Sequence, residues 1–385
     1  MLPRARTAVL MGPQRAAALS MVDEIIDALL PFSASCTSAS RLAEMALLFA
    51  TSAERRALEL DWSQLLQRAL NATAATPLLP DLGGSLGFAL TLQHALALRG
   101  SADDVCSAFD ALLESAVMQA APGPFDHLSG IAGQVMYLLE RPLTAVTERT
   151  RRALLGQLAS QARRDAHGVF WQREGAKRDL GFAHGAAGVI AALARVVEKG
   201  WGGAREVGLL TGAVDWLLAH EAAGPDGFRY PGFVGERFCR LAWCYCDLGI
   251  AVALDSAAGV LHRSDWSVEA GRIAHGMLGL PMEQSGVIDA SLCHGAVGVG
   301  LLMSSLGNRF DSQPLREASA AWYLRANDLR RPTGRFAGFQ FARIEEWEDN
   351  PSLLEGAVGI ALGLEAACTA TPQEWPRYVF GLRDA

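Results

Sequence analysis

Two short blocks about fifty residues apart, Trp243-Cys244-Tyr245-Cys246 and Ser291-Leu292-Cys293-His294-Gly295, gather four side chains able to bind a metal. Cysteine thiolates and neutral imidazoles are ligands of zinc, four in a structural site and three plus an open position in a catalytic one. Three of the four groups would leave such a position. Cys244 and Cys246 are one residue apart and both precede a helical segment, so either could serve as the ligand of the first block. In the second block, Cys293 and His294 are neighbours, and neighbours on a regular helix point about 100° apart. Both reach one ion only where the backbone is irregular, which the following Gly295 permits. Any single cysteine also reads as a small buried hydrophobe, and Cys36, Cys106, Cys239 and Cys368, outside the blocks, are read that way.

The elements that must position these groups show themselves as a repeat. Six paired placements recur: Gly84 with Gly87, Gly130 with Gly133, Gly185 with Gly188, Cys246 with Gly249, Gly295 with Gly298, and Gly356 with Gly359. They start at intervals of 46, 55, 61, 49 and 61 residues, which suits two helices and their loops per repeat. The segment after each pair is apolar nearly all round and predicts a buried inner helix. The stretches 146–164, 204–221, 267–278 and 314–329 are amphipathic and predict outer helices. A glycine inside a helix costs about 1 kcal/mol relative to alanine, so its repeated use implies close backbone approach or an unusual start to each helix. A linear solenoid would need inner helices with a solvent face. These mostly have none, which favours the closed arrangement, so the expectation is all-α: a closed double α/α toroid of about six to seven helical hairpins. The whole chain, 1–385, reads as one domain, with N-terminal outer helices in 1–75 and the glycine repeats in 76–385.

Composition narrows the classes. Half the residues are apolar and 19% charged, enough for a large core. With 34 basic against 41 acidic residues and a net charge of -7, there is no electrostatic footprint for nucleic acid. Basic clusters such as 149–152 and Arg330 with Arg331 read as solvated surface. Seven cysteines do not make a disulfide framework, and a reducing cytoplasm fits better. Gly12, Pro13 and Arg15 cut the first apolar run short of a signal peptide, leaving a frayed terminus. No stretch has the eighteen or so apolar residues needed to cross a bilayer.

The same residues carry a resemblance. From about Leu82 to Leu364 the chain resembles the lanthipeptide (lantibiotic) cyclases, the LanC-like family, through blocks in the expected order. These are Phe125-Asp126-His127-Leu128-Ser129-Gly130, Gly181-Phe182-Ala183-His184-Gly185, Arg240-Leu241-Ala242-Trp243-Cys244-Tyr245, Ser291-Leu292-Cys293-His294-Gly295 and Ser352-Leu353-Leu354-Glu355-Gly356. The resemblance implies a double toroid with one zinc per chain, held by Cys244, Cys293 and His294. It places Cys246 where the family commonly has glycine, leaving a thiol beside the metal as bystander, alternative ligand or redox liability. It also implies His184 as the proton-handling histidine, Arg240 as the enolate-stabilising arginine, and Asp126 and Tyr245 as groups that orient His184 or close the pocket. His275, in a similar Ala274-His275-Gly276 tripeptide, falls in an outer helix and is set aside, as are His94, His127, His167, His220 and His262.

The activity so implied is lanthionine synthesis, in which a cysteine thiolate of a precursor peptide adds to dehydroalanine or dehydrobutyrine and closes a thioether ring. A zinc ion activates the thiol, and the enolate formed needs a cation and a proton donor. Expected partners are the dehydrated precursor peptide, a separate dehydratase, since no dehydratase segment precedes the repeats, and an export transporter. The expected location is the cytoplasm, with peripheral association to a membrane complex. Two other readings remain: an enzyme adding glutathione to dehydroamino acids in proteins, and a non-catalytic zinc toroid that binds peptide. The loops 222–235 and 333–350 are candidates for gripping a leader.

Overall fold

Each of the six pairs opens a helix, and its first residue is the helix N-cap. Lack of a side chain is needed there for close approach. A Cβ on Gly130 would lie 2.1 Å from the Pro124 carbonyl oxygen, and one on Gly356 would lie 2.0 Å from that of Asn350. At the second place of the pair, a Cβ on Gly359 would sit 1.7 Å from the Leu353 oxygen. The five glycine N-caps keep negative φ. Cys246 does have a Cβ, and its backbone turns instead to φ 66°, ψ -154°, a region that L residues rarely adopt.

The computed structural model describes residues 8–75, 79–222, 227–237, 239–343 and 346–382. Among these are fifteen α-helices. The first seven are α1 (Gly12–Ser35), α2 (Ala39–Arg56), α3 (Trp62–Ala72), α4 (Ser85–Leu98), α5 (Ser107–Gln119), α6 (Ile131–Leu139) and α7 (Ala145–Gln161). Then follow α8 (Ala186–Glu198), α9 (Ala204–Leu218), α10 (Asp247–Leu261), α11 (Ser264–Gly276), α12 (Ala296–Arg309), α13 (Gln313–Arg325), α14 (Ala357–Ala367) and the short α15 (Trp375–Phe380). Two small antiparallel hairpins, β1 (Arg163–Asp165) with β2 (Gly168–Phe170) and β3 (Phe341–Ala342) with β4 (Trp347–Glu348), complete the described structure. The predicted outer helices are present but end two to four residues early. Residues 163–165 leave α7 for β1, and α11 and α13 finish in 3-10 turns.

The even helices α2 to α14 form an inner ring that closes on itself, with α2 packed between α14 and α4. This corrects one sequence expectation, that residues 1–75 are all outer helices. From 39 to 53 no residue of α2 is exposed, because both its flanks are covered by other inner helices. Helices α3, α5, α7, α9, α11 and α13 form the outer ring, completed by α1, which packs on α14. The chain's two ends are therefore joined, and the Val9 and Leu10 N–H groups both donate to the Ala367 oxygen at 2.9 Å. The terminus is not frayed there: α1 starts at Gly12 with Pro13 in its first turn, where a missing N–H costs nothing. Residues 1–7 lie outside the described part. None of the described helices is long and apolar enough to cross a membrane.

At one rim, the loops before the inner helices are stitched edge to edge by main-chain hydrogen bonds. Gly83 N–H donates to Leu128 O (3.0 Å), Leu128 N–H to Ala183 O (3.2 Å), and Phe182 N–H to Cys244 O (2.9 Å). Trp243 N–H then donates to Cys293 O (3.1 Å) and Cys293 N–H to Leu354 O (2.9 Å). Each bond contributes about 1 kcal/mol net, and together they make a belt of six loops. The seventh inner helix, α2, brings no glycine loop, so the belt has a gap between residues 354 and 83.

Candidate metal centre and active site

Counting back from each N-cap, the residue two before it is Leu128, Ala183, Cys244, Cys293 or Leu354 in successive loops, and the residue one before it is Ser129, His184, Tyr245, His294 or Glu355. Five of the seven expected site residues, Cys244, Cys293, His294, His184 and Tyr245, thus occupy equivalent stations of neighbouring repeats, whereas Asp126 and Arg240 stand four and six residues before their N-caps. Their ligand atoms meet: one from each of Cys244, Cys293 and His294 lie within 4.8 Å of one another, and all three side chains are buried. Cys293 and His294 converge because they sit in a turn that ends before α12 begins. Gly295 helps through its missing side chain, since a Cβ there would meet the Ser291 nitrogen at 2.1 Å. Cys246 is not part of this cluster. It is bonded to Cys239 in a bridge that the sequence reading did not foresee, with Cα atoms 5.8 Å apart.

His294 is buried, yet neither ring nitrogen has a hydrogen-bond partner. Asp289, fully buried, stands 3.4 Å from Nε2. A carboxylate beside one ring nitrogen is how ligating histidines are oriented. Burial alone would lower the imidazole's pKa, but Asp289 and Cys244 outweigh it and hold the ring at about 9. Cys244 is pulled well below the usual thiol range by the neighbouring Cys293 thiol, then by His294 and the Arg240 charge, which together outweigh burial. Arg240 Nη2 is 3.8 Å from Cys244 Sγ, its Nε is buried without a partner, and no carboxylate pairs with it among the described residues. Two sulfurs, an orphaned imidazole and a tendency toward thiolate are what zinc requires. The residues fit the ion.

A second group lies beside the cluster. His184 Nδ1 is 3.2 Å from Asp126 Oδ1, and Asp126 has no exposed surface. The same carboxylate accepts from the Ser129 N–H (2.9 Å) and from Arg173. Burial would raise the Asp126 pKa, but His184, Ser129 and Arg173 outweigh it and hold the acid well below its usual range. The Asp126 hydrogen bond in turn raises the pKa of His184. Asp179 adds a carboxyl that burial pushes up to about 6. The Tyr245 phenol is also pushed up by burial, and its ring packs on Phe233 at 5.5 Å. His275, set aside earlier, is satisfied elsewhere by Gly271 O (2.7 Å) and Ser312 Oγ (2.8 Å).

Four residues here escaped the sequence reading. Asp179 and Asp289, with Asn350, stand six residues before an N-cap, and each closes its loop by accepting the N–H two residues on, at 2.7, 2.8 and 2.9 Å. That recurrence is visible in the sequence. Arg173 comes from the loop after β2 and has no such signal. Of the candidate leader-gripping loops, 223–226 and 344–345 lie outside the described residues. The rest of the second loop does reach the cluster: the Ala342 N–H donates to Asp289 Oδ2 (3.1 Å), and the Phe341 ring lies 4.9 Å from that of His294.

The class defined by this arrangement is a double α/α toroid with a two-sulfur, one-nitrogen cluster able to hold a metal at one rim. A family profile described as lanthionine synthetase C-like protein matches residues 46–380, and the chain belongs to that family. The solved structure of nisin cyclase is similar at a TM-score of 0.71, over 94% of this chain and 96% of that one, with 16% identity, and so shares its fold. No curated protein sequence matches closely enough to count as a relative.

Proposed function

We propose that the protein is a zinc-dependent lanthionine cyclase of the class I type, closing thioether rings in a dehydrated precursor peptide. The observation that carries this reading is the meeting of Cys244, Cys293 and His294 within 4.8 Å, beside a histidine–carboxylate pair. When bound, zinc supplies Lewis acidity that lets an incoming thiol lose its proton near neutral pH. Cys244, Cys293 and His294 would hold it, with Asp289 fixing the imidazole tautomer. The reaction forms one C–S bond between the peptide sulfur and the β-carbon of the dehydroamino acid, and a proton is added at the α-carbon. Arg240, with its buried Nε unpartnered, offers a cation to the enolate oxygen. His184, whose pKa the Asp126 hydrogen bond raises, delivers the proton, and Tyr245 closes the pocket. The dehydroamino acid itself has to come from a dehydration reaction at serine or threonine, which assigns a dehydratase as partner.

Elemental analysis of the purified chain tests the reading. Wild type should carry about one zinc, Cys293→Ala should lose both metal and ring closure, and His184→Ala should keep metal while losing about 10²–10⁴-fold in rate. Full zinc in Cys293→Ala would overturn the ligand assignment.

A further inference from the structure

The gap in the belt of loops, where α2 supplies no glycine loop, is occupied by a chamber of about 210 Å³. Residues Leu82, Phe88 and Leu353 give it apolar walls, and Arg41, Glu44, His127 and Glu355 bring polar groups to it. It adjoins the metal-binding cluster, since Leu354, also in its wall, accepts the hydrogen bond of the Cys293 N–H. An apolar cavity of about 150 Å³ takes a benzene ring, so this one has room for one side chain. Arg41 and Glu44 neutralise each other, with Nη1 2.8 Å from Oε2. The Glu355 carboxylate has no ion pair or hydrogen bond among the described residues, although it occupies the same station as His184 and His294 in their loops.

His127 supplies the second observation. Its Nε2 lies 3.0 Å from the Val379 carbonyl, which can only accept, so Nε2 carries the proton and Nδ1 is left as an acceptor. That Nδ1 is buried and has no partner, on a side chain with no exposed surface. Burial pushes its pKa down to about 4, so it remains a neutral acceptor. The chamber therefore has a free carboxylate at Glu355 and, in its wall, an imidazole whose acceptor nitrogen is buried without a partner. That combination fits an alkyl stem ending in a cationic donor.

We propose that this chamber is a subsite for a basic side chain of the substrate peptide, lysine or arginine, anchored by Glu355 and His127 while the peptide's cysteine reaches the metal. The inference rests on the cyclase reading. It makes the gap in the belt a specificity-determining place, selecting peptides with a basic residue near the cysteine.

The test uses the zinc-loaded full chain and short synthetic peptides, acetylated and amidated so that no terminal charge competes. Each has one cysteine, and lysine, arginine, norleucine or glutamate at one of the two places on either side. Calorimetry should show lysine or arginine binding at least about tenfold more tightly than norleucine at one place, the scale of a charge-assisted hydrogen bond. Which of the two binds more tightly distinguishes an ammonium from a guanidinium. Glu355→Gln should abolish the preference, Glu355→Asp should retain part of it, and both should keep zinc and the affinity gained from the peptide cysteine. Equal binding of lysine and norleucine at every place, with the cysteine contribution intact, overturns the subsite and leaves the cyclase reading standing. Loss of any cysteine contribution in wild type overturns the cyclase reading, while a surviving Glu355-dependent preference still supports the chamber's chemistry.

Discussion

The pKa of His184 is raised by its hydrogen bond to Asp126, a carboxylate that also accepts from Arg173 and the Ser129 N–H. Because the folded pKa of His184 is raised, its acid form persists as pH rises until that pKa is passed. Asp126→Asn removes the leading cause, so the alkaline fall of ring closure should move to lower pH with zinc content unchanged. A pH–rate profile of the two proteins checks this, and an unmoved alkaline limb would count against His184 as the acid. Cys246 offers a second measurement. Cys246→Ala and Cys246→Gly both remove the bridge to Cys239, but only alanine keeps a Cβ at φ 66°. Glycine should therefore be the more stable variant by about 1–3 kcal/mol, read by chemical denaturation. The cluster of Cys244, Cys293 and His294 was legible in the sequence because cysteine and histidine are scarce and concentrated in two blocks. Arg173 was not, since one exposed arginine among many carries no signal until the hairpin brings it to Asp126.

At the scale of elements, the glycine pairs specify how each inner helix meets its own loop. Gly359→Ala would drive a methyl group to 1.7 Å from the Leu353 oxygen. It should destabilise by about 3 kcal/mol or more, beyond ordinary overpacking, and shift the turn that carries Glu355. Gly156 in outer helix α7 has nothing within 4 Å of its would-be Cβ, so Gly156→Ala should stabilise by about 0.5–1 kcal/mol. Thermal melts of the pair decide whether glycine is there for packing or by accident. The six inner helices with a pair were legible for this reason. Helix α2 was not, because Arg41 and Glu44 in its first turns resemble an outer face, and only the closed ring shows that they point to the gap beside the 352–355 loop.

For the whole molecule, closure matters more than the count of repeats. An open array of repeats loses stability unit by unit, whereas here α1 packs on α14 and residues 9 and 10 are bonded to Ala367. Calorimetry should show one cooperative transition. Deleting residues 8–36 should collapse it rather than trim it, because the seam at α14 would be laid open. The stations one and two residues before each N-cap have a different consequence, for how such a protein can change. Since the loops share one backbone plan and are bonded to one another, each is an interchangeable socket. A single codon change at a socket alters the chemistry presented at the rim while the scaffold beneath is conserved. Inheritance of one fold with divergent reactivity, and the laboratory grafting of a new reagent into Ala183 or Leu354, are both natural outcomes of that modularity.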